Sequence, residues 1–168
     1  NWDNDENSVI FENKFPKLER FKYRKSYDED CDDMELESFV SHHKGLKVFS
    51  MSSFDTDCSS LLHAIANNCS DMENLSITGR NKEKAYGCVN ALKSLLALKK
   101  LTKLKIKCDN EIVTKFLQEL PQLGALESLE LWYAQSDAGF IPALSQLKNL
   151  KVLKLRGCNH LKNVNSLA

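Results

Sequence analysis

One spacing rule recurs six times along the chain: apolar, two residues, apolar, two residues, apolar, one residue, apolar. Phe15, Leu18, Phe21 and Tyr23 follow it first, within FPKLERFKY. His43, Leu46, Phe49 and Met51 repeat it with histidine in the first place, and Cys69, Met72, Leu75 and Ile77 come next. Leu98, Leu101, Leu104 and Ile106 form the fourth copy. Leu123, Leu126, Leu129 and Leu131 form the fifth, and Leu147, Leu150, Leu153 and Leu155 the sixth. The second members, Leu18, Leu46, Met72, Leu101, Leu126 and Leu150, lie 28, 26, 29, 25 and 24 residues apart. The rule also explains the composition, since 25 of 168 residues are leucine and 19 of those fall after residue 90. A period of this length means that each unit is one small supersecondary piece. Such a piece cannot bury its own apolar side and must stack on its neighbours.

Within each copy the last two apolar positions alternate with polar ones, which predicts a short half-buried strand. Helical spacing fills the connections. It runs through Met34, Phe39 and Val40, then Leu61, Leu62, Ile65 and Ala66, then Ala85, Val89, Leu92, Leu95 and Leu96. A fourth helix is predicted from Ile112, Val113, Phe116, Leu117 and Leu120, with Pro121 as its stop. Asp57 and Asn110 are candidate N-caps. The fifth connection, SDAGFIPALSQ, carries Pro142 and predicts a short helix. Strand–helix–strand units close right-handed, so the stack is a solenoid with parallel strands on one side and helices on the other.

The frame resembles the leucine-rich repeat family, and the resemblance covers residues 15–168. It implies an α/β fold: a leucine-rich-repeat solenoid with about six parallel strands on the concave face and helices on the convex face. Residues 1–14 read as an irregular lead-in. The segment after Leu155, RGCNHLKNVNSLA, starts a further unit without a strand, so the chain is expected to be part of a longer array with flanking repeats or domains. Repeat length and helical connectors resemble the ribonuclease-inhibitor-like and F-box leucine-rich-repeat substrate receptors. LLHAIANNCSDMENLSI (Leu61 to Ile77) is similar to their cysteine-containing repeat, and Asn110 to Leu131 more loosely so. That likeness implies a substrate-receptor role in a ubiquitin ligase. The residue after each strand, Cys or Asn in that group, is Ser26, Phe54, Arg80, Asp109, Ala134 and Cys158 here, and no F-box segment occurs in these 168 residues. LKLRGCNHLKNV is similar to plant-type immune receptors, which implies a ligand-sensing alternative.

Other features narrow the function. No apolar run approaches 18 residues, so no membrane-spanning helix is expected. Cys31, Cys58, Cys69, Cys88, Cys108 and Cys158 are spread along the repeats, with neither CxxC nor a paired Cys/His spacing. They read as small buried thiols, not as a disulfide framework or a zinc site. The sequons at Asn68 and Asn74 read as accidental, the second because it enters a strand. Together these features point to a reducing cytoplasmic or nuclear compartment. His42 and His43 fall at a helix end, where imidazole suits the dipole. No nucleophile elbow, phosphate loop or catalytic carboxylate pair is present, so no enzyme, metal or cofactor is expected.

Charge gives the functional lead. With 23 basic and 23 acidic residues the chain is neutral, yet the strand pattern sorts the charges. Strand alternation puts three rows on the concave face. They are Arg20, Val48, Asn74, Lys103, Ser128 and Val152; Lys22, Ser50, Ser76, Lys105, Glu130 and Lys154; and Arg24, Ser52, Thr78, Lys107, Trp132 and Arg156. Eight of these 18 are basic and one is acidic. The acids collect elsewhere, seven of them in the ten residues 28–37, where they also suit the start of a helix. A basic concavity repels itself until a partner neutralises it, although charged faces are also simply solvated. The candidate partner-binding residues are Arg20, Lys22, Arg24, Lys103, Lys105, Lys107, Glu130, Trp132, Lys154 and Arg156. Trp132 has two readings, an anchor projecting from the rim or a ring packed over the neighbouring strand end. The expected partner is a protein with an acidic or phosphorylated surface. Nucleic acid is disfavoured, because Trp132 is the one aromatic among the basic rows. Six strands about 4.8 Å apart give a face of roughly 350 Å², about half of the usual ~800 Å² per partner.

Overall fold

The computed structural model describes residues 15–24, 33–54, 58–79, 89–107, 116–132 and 140–156. The elements in chain order are β1 (Arg20–Arg24), α1 (Asp33–His42), β2 (Val48–Phe54), α2 (Ser59–Asn68), β3 (Asn74–Gly79) and α3 (Val89–Ser94). A 3₁₀ turn (Leu95–Ala97) continues α3 into β4 (Lys103–Lys107). A second 3₁₀ turn (Leu120–Gln122) precedes β5 (Ser128–Trp132), and α4 (Phe140–Ser145) leads to β6 (Val152–Arg156). The strands form one six-stranded parallel sheet in sequence order. α1 packs on α2 and α2 on α3 along one side of it. Strands sit about 4.8 Å apart while packed helices need 8–10 Å, so the strand side becomes the inside of a curve.

The spacing rule has a direct backbone meaning. In all six copies the N–H of the second member donates to the carbonyl of the first, three residues back, at 3.0–3.2 Å, as in Leu101 to Leu98. Each copy therefore starts with a hydrogen-bonded turn that swings the chain into its strand. A second device joins the units. The carbonyl of Glu19 accepts two consecutive donors of the next repeat, the N–H groups of Lys47 and Val48, both at 2.9 Å. Lys47, Glu73, Thr102 and Glu127 accept pairs in the same way from the repeat that follows each of them. Their side chains repeat the link where charges allow, with Lys47 2.6 Å from Glu19 and Lys151 2.8 Å from Glu127. Lys100 and Asp71 make a neighbouring bridge.

The apolar positions point under the sheet and make one continuous core. Leu101, Leu104, Ile106, Leu126, Leu129 and Leu131 are all buried, as the frame predicts. Leu150, Leu153 and Leu155, predicted buried with them, are only half-buried and pack against the core from one side. The reason is position: β6 pairs with β5 alone among the described strands. β1 is in the same situation, with Phe21 half-buried although its ring lies 4.2 Å from Phe39 and 5.6 Å from Phe49, centroid to centroid.

Some connections differ from the sequence reading. α2 is N-capped by buried Cys58, with no side-chain cap bond, while the predicted caps Asp57 and Asn110 lie outside the described residues. The predicted fourth helix is described only at its end, Phe116 and Leu117, and closes there, ahead of Pro121. Pro121 sits at the start of the 3₁₀ turn, where its missing N–H leaves no bond unmade. Phe116, Leu117 and Leu120 are buried as expected, while Ile112 and Val113 lie outside the described residues. His42 ends α1 and its Nδ1 donates to Ser38 O at 2.7 Å. His43 goes further than the dipole reading, because it occupies the first apolar place of its frame. It is buried, stacks 4.2 Å from Phe39 and bonds Phe39 O through Nδ1, while Nε2 has no partner among the described residues.

Candidate functional site

Pairing across the sheet reproduces the three rows residue for residue. Arg20 pairs with Val48, Val48 with Asn74, Asn74 with Lys103, Lys103 with Ser128 and Ser128 with Val152. Lys22, Ser50, Ser76, Lys105, Glu130 and Lys154 form the middle row, and Arg24, Ser52, Thr78, Lys107, Trp132 and Arg156 the third. A one-residue slip in any strand would turn its row members into the core, so the buried leucines fix where these side chains stand.

The face is not uniformly basic. β1 presents Arg20, Lys22 and Arg24, all exposed, between half-buried Phe21 and Tyr23. β2 and β3 present half-buried Ser50, Ser52, Asn74, Ser76 and Thr78, without charge. Val48, flanked by a strand on each side, is 9% exposed, against 42% for Val152 on β6. On β4 Lys103 is exposed and Lys105 half-buried, and Lys107 is placed by its backbone position. On β6 Lys154 and Arg156 are exposed.

Glu130 organises the far half. Its side chain is 16% exposed, and the Trp132 indole N–H donates to its Oε1 at 2.7 Å. Lys105 Nζ lies 3.4 Å and Arg156 Nε 3.5 Å from the same oxygen. The two cations also flank the indole, Lys105 Nζ at 5.4 Å and the Arg156 guanidinium at 5.1 Å from the ring centroid. Desolvation pushes the Glu130 carboxyl up, but the indole N–H, Lys105 and Arg156 outweigh it and hold it below the usual carboxylate range. Trp132 thus stands between Lys107 and Arg156 in the row, but it does not project as a free anchor. It is half-buried and turned along its own strand onto Glu130. Neither sequence reading foresaw this contact between residues two apart, although two such residues share one face of a strand.

The acidic run 28–37 is described only from residue 33, where it opens α1 on the helical side. Among the described residues no group of His, Cys, Asp and Glu could hold a metal, and no helix is long and apolar enough to cross a membrane. Cys58 and Cys69 are buried and in no disulfide, and the other four cysteines lie outside the described residues. Burial pushes the Cys69 thiol up to about 11, and its Sγ lies 3.8 Å from His43 O.

This architecture is a leucine-rich-repeat solenoid with an open strand face on which basic residues far outnumber acidic ones. No protein-family model matches the sequence, and no curated protein matches it. Among solved structures it is similar to the crystal structure of an internalin from Listeria monocytogenes, at 19% identity and a TM-score of 0.55. The match covers 91% of this chain and 45% of the internalin chain, so this chain spans less than half of that protein's length. The likeness carries the repeat fold. It does not reach the ribonuclease-inhibitor-like or F-box subtype.

Proposed function

We propose that the open strand face is a non-catalytic protein-recognition surface for an acidic or phosphorylated segment. The observation that carries this is the sorting of charge: eight of 18 open-face positions are basic and one is acidic, in a chain with no net charge. Parallel register holds those side chains in fixed rows, which suits them to meet a complementary surface. Service as the substrate-receptor part of an F-box-type ubiquitin ligase is the finer form of this proposal, and it rests on the likeness of residues 61–77 and 110–131. A reducing cytoplasmic or nuclear setting belongs with it, supported by Cys58 and Cys69, which are buried and in no disulfide.

The test is charge reversal at Lys103, Lys105 and Lys107, each changed to Glu. Binding of a fluorescein-labelled hexaglutamate peptide and of a phosphoserine counterpart should weaken by tenfold or more, on the order expected when attraction becomes repulsion. Circular dichroism should show the fold kept, since the changes lie on the open face and leave the leucine core intact, with some stability lost because Lys105→Glu then faces Glu130. Unchanged binding would make the basic rows a solvated surface. Tighter, steeply salt-dependent binding of a single-stranded oligonucleotide would instead favour nucleic acid.

A further inference from the structure

The open-face cations are not equivalent. Lys105 and Arg156 already face Glu130, at 3.4 and 3.5 Å, and flank Trp132. Arg20, Lys22, Arg24, Lys103 and Lys154 are exposed and in no ion pair among the described residues. Lys154 stands beside Glu130 in the middle row, so among the described residues the charge lying away from the Trp132 cluster is that of β1 and of Lys103 on β4. Between those two strands lie β2 and β3, whose open-face side chains are the hydroxyls of Ser50, Ser52, Ser76 and Thr78, the amide of Asn74 and the nearly buried Val48.

Resting on the function proposed above, we infer that the partner is an extended acidic segment lying across β1 to β4, with two acidic groups about four residues apart. Two arguments set this geometry. Three strand spacings of about 4.8 Å put β4 about 14 Å from β1, and an extended chain covers about 3.3 Å per residue. The saddle between them offers donors and acceptors at Ser50, Asn74, Ser76 and Thr78, and small side chains let a backbone approach. An extended segment presents unpaired N–H and C=O groups to such a saddle, whereas a helix has bonded its own. The acids at either end then meet Arg20, Lys22 and Arg24 on one side and Lys103 on the other.

A peptide series of constant charge tests this on the unmodified protein. Two Glu-Glu pairs are joined by zero, three or nine Ser/Gly residues, and binding is followed by fluorescence anisotropy. The three-residue spacer should bind tightest, by about fivefold over the other two, because only it reaches both stations without slack. Arg20→Gln, Lys22→Gln and Arg24→Gln together should remove that preference and leave three equally weak peptides. Lys148 is exposed in the turn before β6, outside the open-face rows, and Lys148→Gln should leave the preference as it is. Equal affinity across the spacers on the unmodified protein overturns the inference and leaves the proposed function standing. An optimum at nine overturns it too, since a helix at about 1.5 Å per residue needs about ten residues for the same span. If none of the peptides binds, both the inference and the function fail.

Discussion

Leu129 has no exposed surface and lies in the middle of β5, between β4 and β6. Leu129→Ala should cost about 2–5 kcal/mol through lost transfer energy and the cavity left behind, read by urea denaturation. The same change at Leu153, half-buried on β6, should cost distinctly less. Cys58 and Cys69 are buried thiols in no disulfide, and burial raises the Cys69 pKa, which keeps it protonated at neutral pH. Iodoacetamide without reductant should leave both unlabelled in the folded protein and label both in denaturant. A disulfide found at either would count against the reducing compartment. Glu130 gives the pH prediction. Its folded pKa is depressed, so its contribution is complete above the ordinary carboxylate range, about pH 4–5, and fades as the pH falls through the lowered folded value. Glu130→Gln keeps an acceptor for the indole but loses the charge. The stability gap between the two proteins should be widest near neutral pH and should close in acid. At this scale the sequence announced which residues are buried and which face outward, because strand alternation alone decides that. It did not announce the turn of Trp132 onto Glu130, which depends on a side-chain rotamer and on cations from two other strands. The frame put His43 in a leucine place, but the sequence did not reveal its burial against Phe39, because a histidine beside a helix end has a ready surface explanation.

Strands and turns were legible for a different reason from helices. A strand here is fixed twice, by its apolar pair and by the turn that the first two apolar residues close, and all six frames did become strands. The connections carry apolar residues at helical spacing but little that sets their ends. Leu95 and Leu96 were read as α-helix and lie in a 3₁₀ turn, as does Leu120 beside Pro121. A tighter winding buries the same leucines in fewer residues, so burial does not discriminate between the two. Pro121→Ala tests the reassignment. If the proline pre-sets the φ of a 3₁₀ turn, its loss should destabilise by only about 0.4–1 kcal/mol, through the freer unfolded chain, and leave far-UV helicity unchanged. A gain in helical signal would restore the proline to the role of helix stop.

At the scale of the whole molecule the main contacts among the described elements join neighbouring repeats, so stability should be graded along the array. Hydrogen exchange followed by mass spectrometry should find the amides of β3 and β4 slowest and those of β1 and β6 fastest, since the edge strands have one partner each. Uniform protection would mean that the stack opens as a single unit. Overall architecture was the most legible level of all, because six copies of one frame leave little freedom in how they stack. Subtype was the least legible, since residues after the strands and the ends of the connectors vary most. The shared carbonyl that receives two donors from the next repeat has a consequence for heredity. It sets the start of each strand without reference to how many residues came before, and connections that differ by up to five residues in period (24 to 29) deliver the same register. Insertions and deletions in the outer loops therefore leave the rows on the open face undisturbed, and single-codon changes in a strand alter one position of that face alone. A gene built this way can exchange the surface it shows to partners while its scaffold is inherited unchanged.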